Sequence, residues 1–397
     1  MNVENNSLIA VITVSIYLAS FGLSFKYDYS LLLLSISAIF LSTQKTENEN
    51  IMFFWLVVGF LIAVLTATYF SFDQLKSLHF IISLLPGVLI FYLISEYVVF
   101  DHLRYIYIIL VATDLILSLL LLGVSYVSDF NEPTNWISET SITFLKVPND
   151  IMYITFSLPL LGYIFSTEKF ISLIAIGVYF FIITSVIVIY RSRLSLIIIA
   201  IYMIMYLILY EKKPSVIISI LLVFILFCVG IDAITGFSML HRLLSSWGAS
   251  RIPLWIAAWI LFMKYPFVGH GPGIFLLKYK EILEEYHLSE LLLADPRLMP
   301  WAHNLYLESL AETGIISFIF FISLILLSYN SLIKVLRLGA RGLNLQAYPL
   351  MSMLIAFNFA AFFELSFWRQ WVPVVFFLII GVISRFTSHY HREKDHV

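Results

Sequence analysis

The residues of this sequence whose types and spacing suit chemistry lie in a few short stretches. "YRSRLS" places Arg191 and Arg193 two positions apart between two apolar runs. Arginine stays charged at working pH, and its planar fork matches phosphate oxygens. A cation at a membrane edge is costly to place, so the doublet is a functional candidate; snorkelling to headgroups is the plainer alternative. Arg251 follows "WGAS" and opens "IPLW". A lone loop arginine is as a rule simply solvated, and Arg242 and Arg297 are weaker candidates of the same kind. "GHGPG" sets Gly269, Gly271 and Gly273 around His270 and Pro272. Glycine permits positive φ and close backbone approach, so its N–H groups could form an anion nest. A tight turn between two helices explains the same residues. The stretch lacks the Lys-Ser/Thr ending of a phosphate-binding loop, which excludes a nucleotide site of that type.

"MPWAHNLYLESLAETG" is the densest stretch. Histidine as a residue type can serve as a general base, which makes His303 a candidate, although a histidine at a helix start is more often a bland interfacial residue. Asn304 is placed to cap the following helix, and Glu308 lies one turn below it, with Glu312 a turn further on. Glu364 and Arg369 either join the same cavity or merely pair. Asp114 and Asp232 sit at membrane depth, as structural partners or proton sites. With no HExxH, no CxxC and no second histidine at i+4, no metal is expected.

The elements that must position these groups are apolar. Of 397 residues, 61% are hydrophobic and 12% charged, with mean hydropathy +0.96. Soluble domains run at about 45–50% apolar and about 25% charged, so the chain reads as an all-α polytopic membrane protein. Solid runs rather than period-2 alternation exclude a transmembrane barrel. A net charge of −2 without a basic stripe gives no reason to expect nucleic acid. The single cysteine, Cys228, rules out an internal disulfide. No small-residue cleavage site follows the first run, which reads as a retained span.

About 12 spans are expected, near 7–25, 29–43, 51–70, 77–99, 104–126, 150–166, 170–190, 194–210, 215–235, 303–328, 347–367 and 371–385. The chain then divides into transmembrane helices 1–9 over 1–235, a large loop over 236–302, helices 10–12 over 303–385 and a tail over 386–397. With the N-terminus cytoplasmic, eleven Lys and Arg fall in short inner loops and six in short outer ones, which favours both termini inside and the large loop outside. Trp136, Trp368 and Trp371 crowd span ends as interfacial belts do. Ser128–Asp150 is a polar outer segment with "NEPTNW" as a turn. Within the large loop, "IPLWIAAWILFMKYPF" is too short for a comfortable span and reads as a re-entrant or interfacial helix. "GIFLLKYKEILEEYHLSELLL" reads as an amphipathic surface helix, with Ile274, Leu277, Leu288 and Leu291 apolar and Lys278, Glu281, Glu284 and Glu285 polar. No internal repeat suggests a transporter.

Taken together, the sequence resembles the O-antigen polymerase and ligase superfamily, bacterial inner-membrane glycosyltransferases acting on undecaprenyl-diphosphate-linked glycans. Three stretches carry the resemblance: the outer arginine of "YRSRLS", the run "SRIPLWIAAWILFMKYPFVGHGPGIF", and "AHNLYLESLAETGIISF". It covers about 190–320 in motif detail. The resemblance implies a GT-C-like helical fold with the site on a large periplasmic loop, both termini cytoplasmic, and a reaction needing no cofactor, nucleotide sugar or metal. It places catalytic arginines on Arg251 and on Arg191 or Arg193, without choosing within the doublet, and a positioning or deprotonating histidine on His303. Substrate contacts are implied at Trp255, Gly269, Gly271, Gly273, Asn304 and Tyr306. The implied donor is an undecaprenyl-diphosphate-linked glycan. The acceptor is another lipid-linked glycan for a polymerase, the first reading, or lipid A–core for a ligase; a chain-length regulator is a further implied partner. A lipid-linked glycan transporter is the weaker alternative.

Overall fold

A segment apolar on every face gains nothing by exposing one side to water. In lipid its backbone polar groups must be satisfied internally, and the helix does this within one segment. The computed structural model describes residues 3–23, 27–44, 51–127, 148–164, 169–210, 214–234, 236–237, 240–241, 251–288, 299–338 and 341–395. Among these the regular structure is helical throughout: α1 (Val3–Gly22), α2 (Tyr27–Ser42), α3 (Ile51–Tyr69), α4 (Gln74–Tyr97), α5 (Leu103–Val127), α6 (Leu160–Ile164), α7 (Lys169–Ile189), α8 (Arg193–Tyr210), α9 (Pro214–Ile234), α10 (Ile252–Lys264), α11 (Phe275–Glu285), α12 (Leu305–Leu338), α13 (Arg341–Phe363) and α14 (Trp371–Asp395). Among the described residues, seven helices are long and apolar enough to cross a membrane, and five shorter apolar helices accompany them. Trp136, Arg242, Arg297, Leu291 and the "NEPTNW" turn lie outside the described residues.

The helices form two compact units, interleaved along the chain. The first comprises Met1–Lys45, Tyr97–Ser246 and Leu332–Ala356. Here α1 packs on α2 and α5, and α5 packs on α7. Gly22 permits close approach: a Cβ there would overlap Thr113. The run over 150–166, expected as a span, is instead a 3₁₀ stretch, Pro148–Thr155, followed by the short α6. Pro159 removes a backbone donor, and the Thr155 hydroxyl bonds the Met152 carbonyl (2.7 Å), so the chain turns rather than running straight.

The second unit comprises Thr46–Glu96, Trp247–Ser331 and Phe357–Val397. Phe376 of α14 meets the rings of Phe321, Phe357 and Phe367 at 5.3–5.7 Å between centroids. α14 runs on through Asp395, past the expected end of its span, and α12 likewise runs on to Leu338. α10 starts with Pro253 in its first turn and stops at Tyr265, whose backbone (φ −136, ψ 70) leaves the helical region just before Pro266. α11 is amphipathic as expected, but its buried stripe is Phe275, Tyr279, Ile282 and Leu283, packed on Leu254, Ala257, Ala258 and Leu261 of α10. Leu277, expected on that stripe, is exposed. The helix ends earlier than expected because His287, in the left-handed region (φ 57), closes it with bonds from His287 N to Glu284 O (3.0 Å) and Leu288 N to Leu283 O (2.7 Å).

Candidate functional site

The site is built on a break in a helix. Gly314 interrupts α12 with φ 72 and ψ 179, a conformation nearly exclusive to glycine. In an unbroken helix Ile315 N–H would bond Ala311 O, and Ile316 N–H would bond Glu312 O. Instead Ile315 N donates to Pro266 O (2.8 Å) and Ile316 N to Phe267 O (3.5 Å). The two freed carbonyls accept from His270 N (3.0 Å) and Gly271 N (2.9 Å). The segment after α10 thus inserts into the ladder of α12, and all four backbone groups stay paired. So close an approach excludes side chains: a Cβ on Gly269 would strike Glu312 backbone, and one on Gly314 would strike the Phe267 carbonyl.

This geometry corrects the reading of Gly269, Gly271 and Gly273 as an anion nest open to substrate. Gly269 N donates to Tyr265 O (2.9 Å) and Gly271 N to Glu312 O. The nest that does form is filled by the chain itself: Gly273 N and Phe275 N (3.0 Å) donate to the Glu312 carboxylate. The Trp368 indole donates to the same carboxylate (3.3 Å). Glu308 is likewise turned inward, accepting from Ala302 N (3.2 Å) and from the Ser366 hydroxyl. The two acids therefore fasten the start of α12 to the α10–α11 segment and to the α13–α14 turn. His270 is buried between Phe72 (5.4 Å, stacked) and Tyr265 (4.6 Å), with Nε2 on Leu261 O (3.0 Å). Burial pushes its imidazole down to about 4, so it is neutral at pH 7.

Above this scaffold the charged groups converge. Glu364, fully buried in the α13–α14 turn, accepts from Arg251 at Oε2 (2.6 Å) and from Arg369 at Oε1 (2.6 Å). His303 Nδ1 lies 3.1 Å from the same Oε1. Burial raises the Glu364 carboxyl, but His303, Arg369 and Arg251 outweigh it and hold the group well below the usual carboxylate range. Two guanidinium groups thus share one carboxylate, leaving positive charge over. Arg369 lies under the Trp301 ring (4.8 Å) and is buried, whereas the Arg251 and His303 side chains keep 28% and 17% of their exposure. The reachable cation and the reachable imidazole are therefore Arg251 and His303. His303 holds φ 53, a strained conformation for a non-glycine residue.

Other expected residues take supporting places. Asn304 Oδ1 caps α12, accepting from Tyr306 N (3.1 Å) and Leu307 N (3.0 Å). The Tyr306 hydroxyl donates to Asn358 Oδ1 (2.6 Å), and its ring, like that of Trp255, faces Phe362. Arg191 and Arg193 belong to the first unit. Arg191 occupies the left-handed position after α7 (φ 59), with Arg191 N on Val188 O (3.0 Å) and Ser192 N on Ile187 O (3.0 Å), a place where glycine is usual. Ser192 and Arg193 then open α8. Sequence reasoning put Glu364 and Arg369 either in the same cavity or in a plain pair, and missed that Glu364 is the hub. The available signal was a Glu and an Arg five positions apart in a short turn between two spans.

Residues 151–322 match the family model described as O-antigen ligase. The match supports the O-antigen polymerase and ligase superfamily. The matched segment contains Arg191, Arg193, Arg251, the glycine turn and the His303–Glu312 stretch, and it ends before Glu364 and Arg369. No curated protein matches the chain.

Proposed function

We propose that the protein is an O-antigen polymerase of the inner membrane, which transfers a glycan from undecaprenyl diphosphate to a sugar hydroxyl of another lipid-linked repeat unit at the periplasmic face. The observation that carries this reading is the convergence of Arg251, Arg369 and His303 on Glu364, in a chain with an O-antigen ligase segment. The acceptor oxygen attacks the anomeric carbon, and the bond from that carbon to the diphosphate oxygen breaks. Its electron pair leaves on the diphosphate, where Arg251 stabilises the developing charge. The acceptor proton passes to His303. A diphosphate already leaves well, so charge stabilisation and in-line positioning supply most of the acceleration, and a general base contributes about 10²–10⁴-fold. The second reading is ligase, with the same donor and chemistry but lipid A–core as acceptor, and the family match fits both.

The test is chain extension in vitro from a defined lipid-linked glycan, read on a gel. Arg251→Ala is expected to abolish extension at unchanged expression. Extension equal to wild type in both Arg251→Ala and His303→Ala would remove the site assignment. A null strain separates the readings: lipopolysaccharide capped by a single repeat indicates polymerase, and bare core with accumulated lipid-linked polymer indicates ligase.

A further inference from the structure

We infer that Glu364 is a positioning residue that fixes which ring nitrogen of His303 faces the acceptor; the inference rests on the transferase reading above. Glu364 comes from the α13–α14 turn, beyond the matched O-antigen ligase segment, and no expectation from the sequence gave it this role. Its two oxygens are both engaged, Oε2 by Arg251 and Oε1 by Arg369 and His303 Nδ1. An ionised carboxylate has no proton to donate and can only accept. The bond at 3.1 Å therefore requires the proton on Nδ1. A neutral imidazole with Nδ1–H carries its lone pair on Nε2, which is the atom left to take a proton. When Nε2 does so, the imidazolium forms beside a fixed negative charge, which stabilises it at the moment of transfer. The backbone agrees with this orientation. Asn304 is held as the cap of α12, and His303, at φ 53 just before it, has its ring within reach of the turn that carries Glu364.

The charged groups about the imidazole are Glu364 and Arg369 from the α13–α14 turn and Arg251 from the start of α10. Trp301, on the His303 segment, meets the imidazole edge-on at 6.0 Å and stacks on Arg369. Neither arginine can act as a base, so the carboxylate is the group that selects the tautomer. Glu364 Oε2 also holds Arg251, so a loss that acts through the arginine raises the donor KM, whereas a loss that acts through the histidine lowers kcat.

The experiment uses the full chain in lipid nanodiscs with a polyprenyl-diphosphate-linked glycan as substrate. Glu364→Gln is expected to lower kcat about 10²–10⁴-fold and to alter the pH profile, without raising the donor KM. Glu364→Asp, which restores the charge, recovers part of kcat. In a His303→Ala background Glu364→Gln adds no further loss, because it acts through the histidine. In parallel, 15N spectra of histidine-labelled protein, with His303 assigned by the signal lost in His303→Asn, are expected to show the neutral ring protonated on Nδ1. This measurement needs only the wild-type fold, so it decides the matter even where Glu364→Gln fails to fold. An inactive His303→Ala beside a Glu364→Gln with wild-type kcat and pH profile overturns the inference and leaves the transferase reading intact. So do fully additive losses in the double variant, or a neutral His303 protonated on Nε2. Wild-type activity in His303→Ala removes instead the transferase reading's base.

Discussion

At the scale of single residues, two of the candidate site residues stand in backbone conformations that glycine or asparagine would hold more easily. His303 has φ 53 and Arg191 has φ 59. Such strain persists where the side chain is needed, and each position offers a separating substitution. Asparagine tolerates the left-handed region and can still donate to Glu364, but it has no second ring nitrogen. His303→Asn is therefore expected to keep the melting temperature within a few degrees and to lose extension at least about 10²-fold. Arg191→Gly relieves strain at the end of α7, so it is expected to stabilise the protein by about 1 kcal/mol while lowering extension; thermal melting beside the gel assay checks both. That combination, gained stability with lost activity, marks a functional side chain. The arginines and His303 were legible as candidates from residue type alone. Nothing in the sequence ranked Arg191 against Arg193, because the strained position appears only once the turn is folded.

At the scale of elements, the break in α12 organises the site. Gly314 lets two backbone donors leave the helix and bond Pro266 and Phe267, while Ala311 and Glu312 receive His270 and Gly271 in return. An alanine at Gly314 would need a conformation reserved for glycine and would meet the Phe267 carbonyl. Gly314→Ala is expected to cost roughly 3 kcal/mol or more and to lose transfer, as His303 shifts with the start of α12. Gly123 in α5 has open space about its missing Cβ, so Gly123→Ala there is expected to be neutral or to stabilise by up to about 1 kcal/mol. Melting curves of the two variants in one detergent test the contrast. The sequence marked α10, its end at Pro266 and the cap at Asn304, since each rests on local backbone preference. It left the glycines open between a nest and a tight turn, because both ask for the same residue; what fills the space, the Glu312 carboxylate, comes from α12.

At the scale of the whole molecule, two buried titratable groups outside the spans set how stability follows pH. His270 is held neutral in the fold, down to about 4 from an ordinary 6.5. The unfolded chain binds a proton first as pH falls, so this contribution is complete above about 6.5 and is lost progressively toward about 4. Glu364 is held charged, so its contribution is complete above its ordinary 4.5 and is lost only at lower pH. Melting temperature is expected to rise between about 4 and 6.5, and His270→Gln is expected to flatten that rise; an unchanged slope in this variant would refute the assignment.

The sequence by itself determined a helical membrane chain, most of its apolar segments, the points where α10 and α12 begin, and the residue types suited to gripping a diphosphate and moving a proton. These follow from local rules, since hydropathy, proline and capping act within a few positions. Only the tertiary structure decided that Arg251 and Glu364, 113 positions apart, meet at 2.6 Å, that His303 joins them, and that Glu308 and Glu312 serve the scaffold. A carboxylate's neighbours come from whichever helix ends the packing brings together, and no periodicity along the chain records that choice.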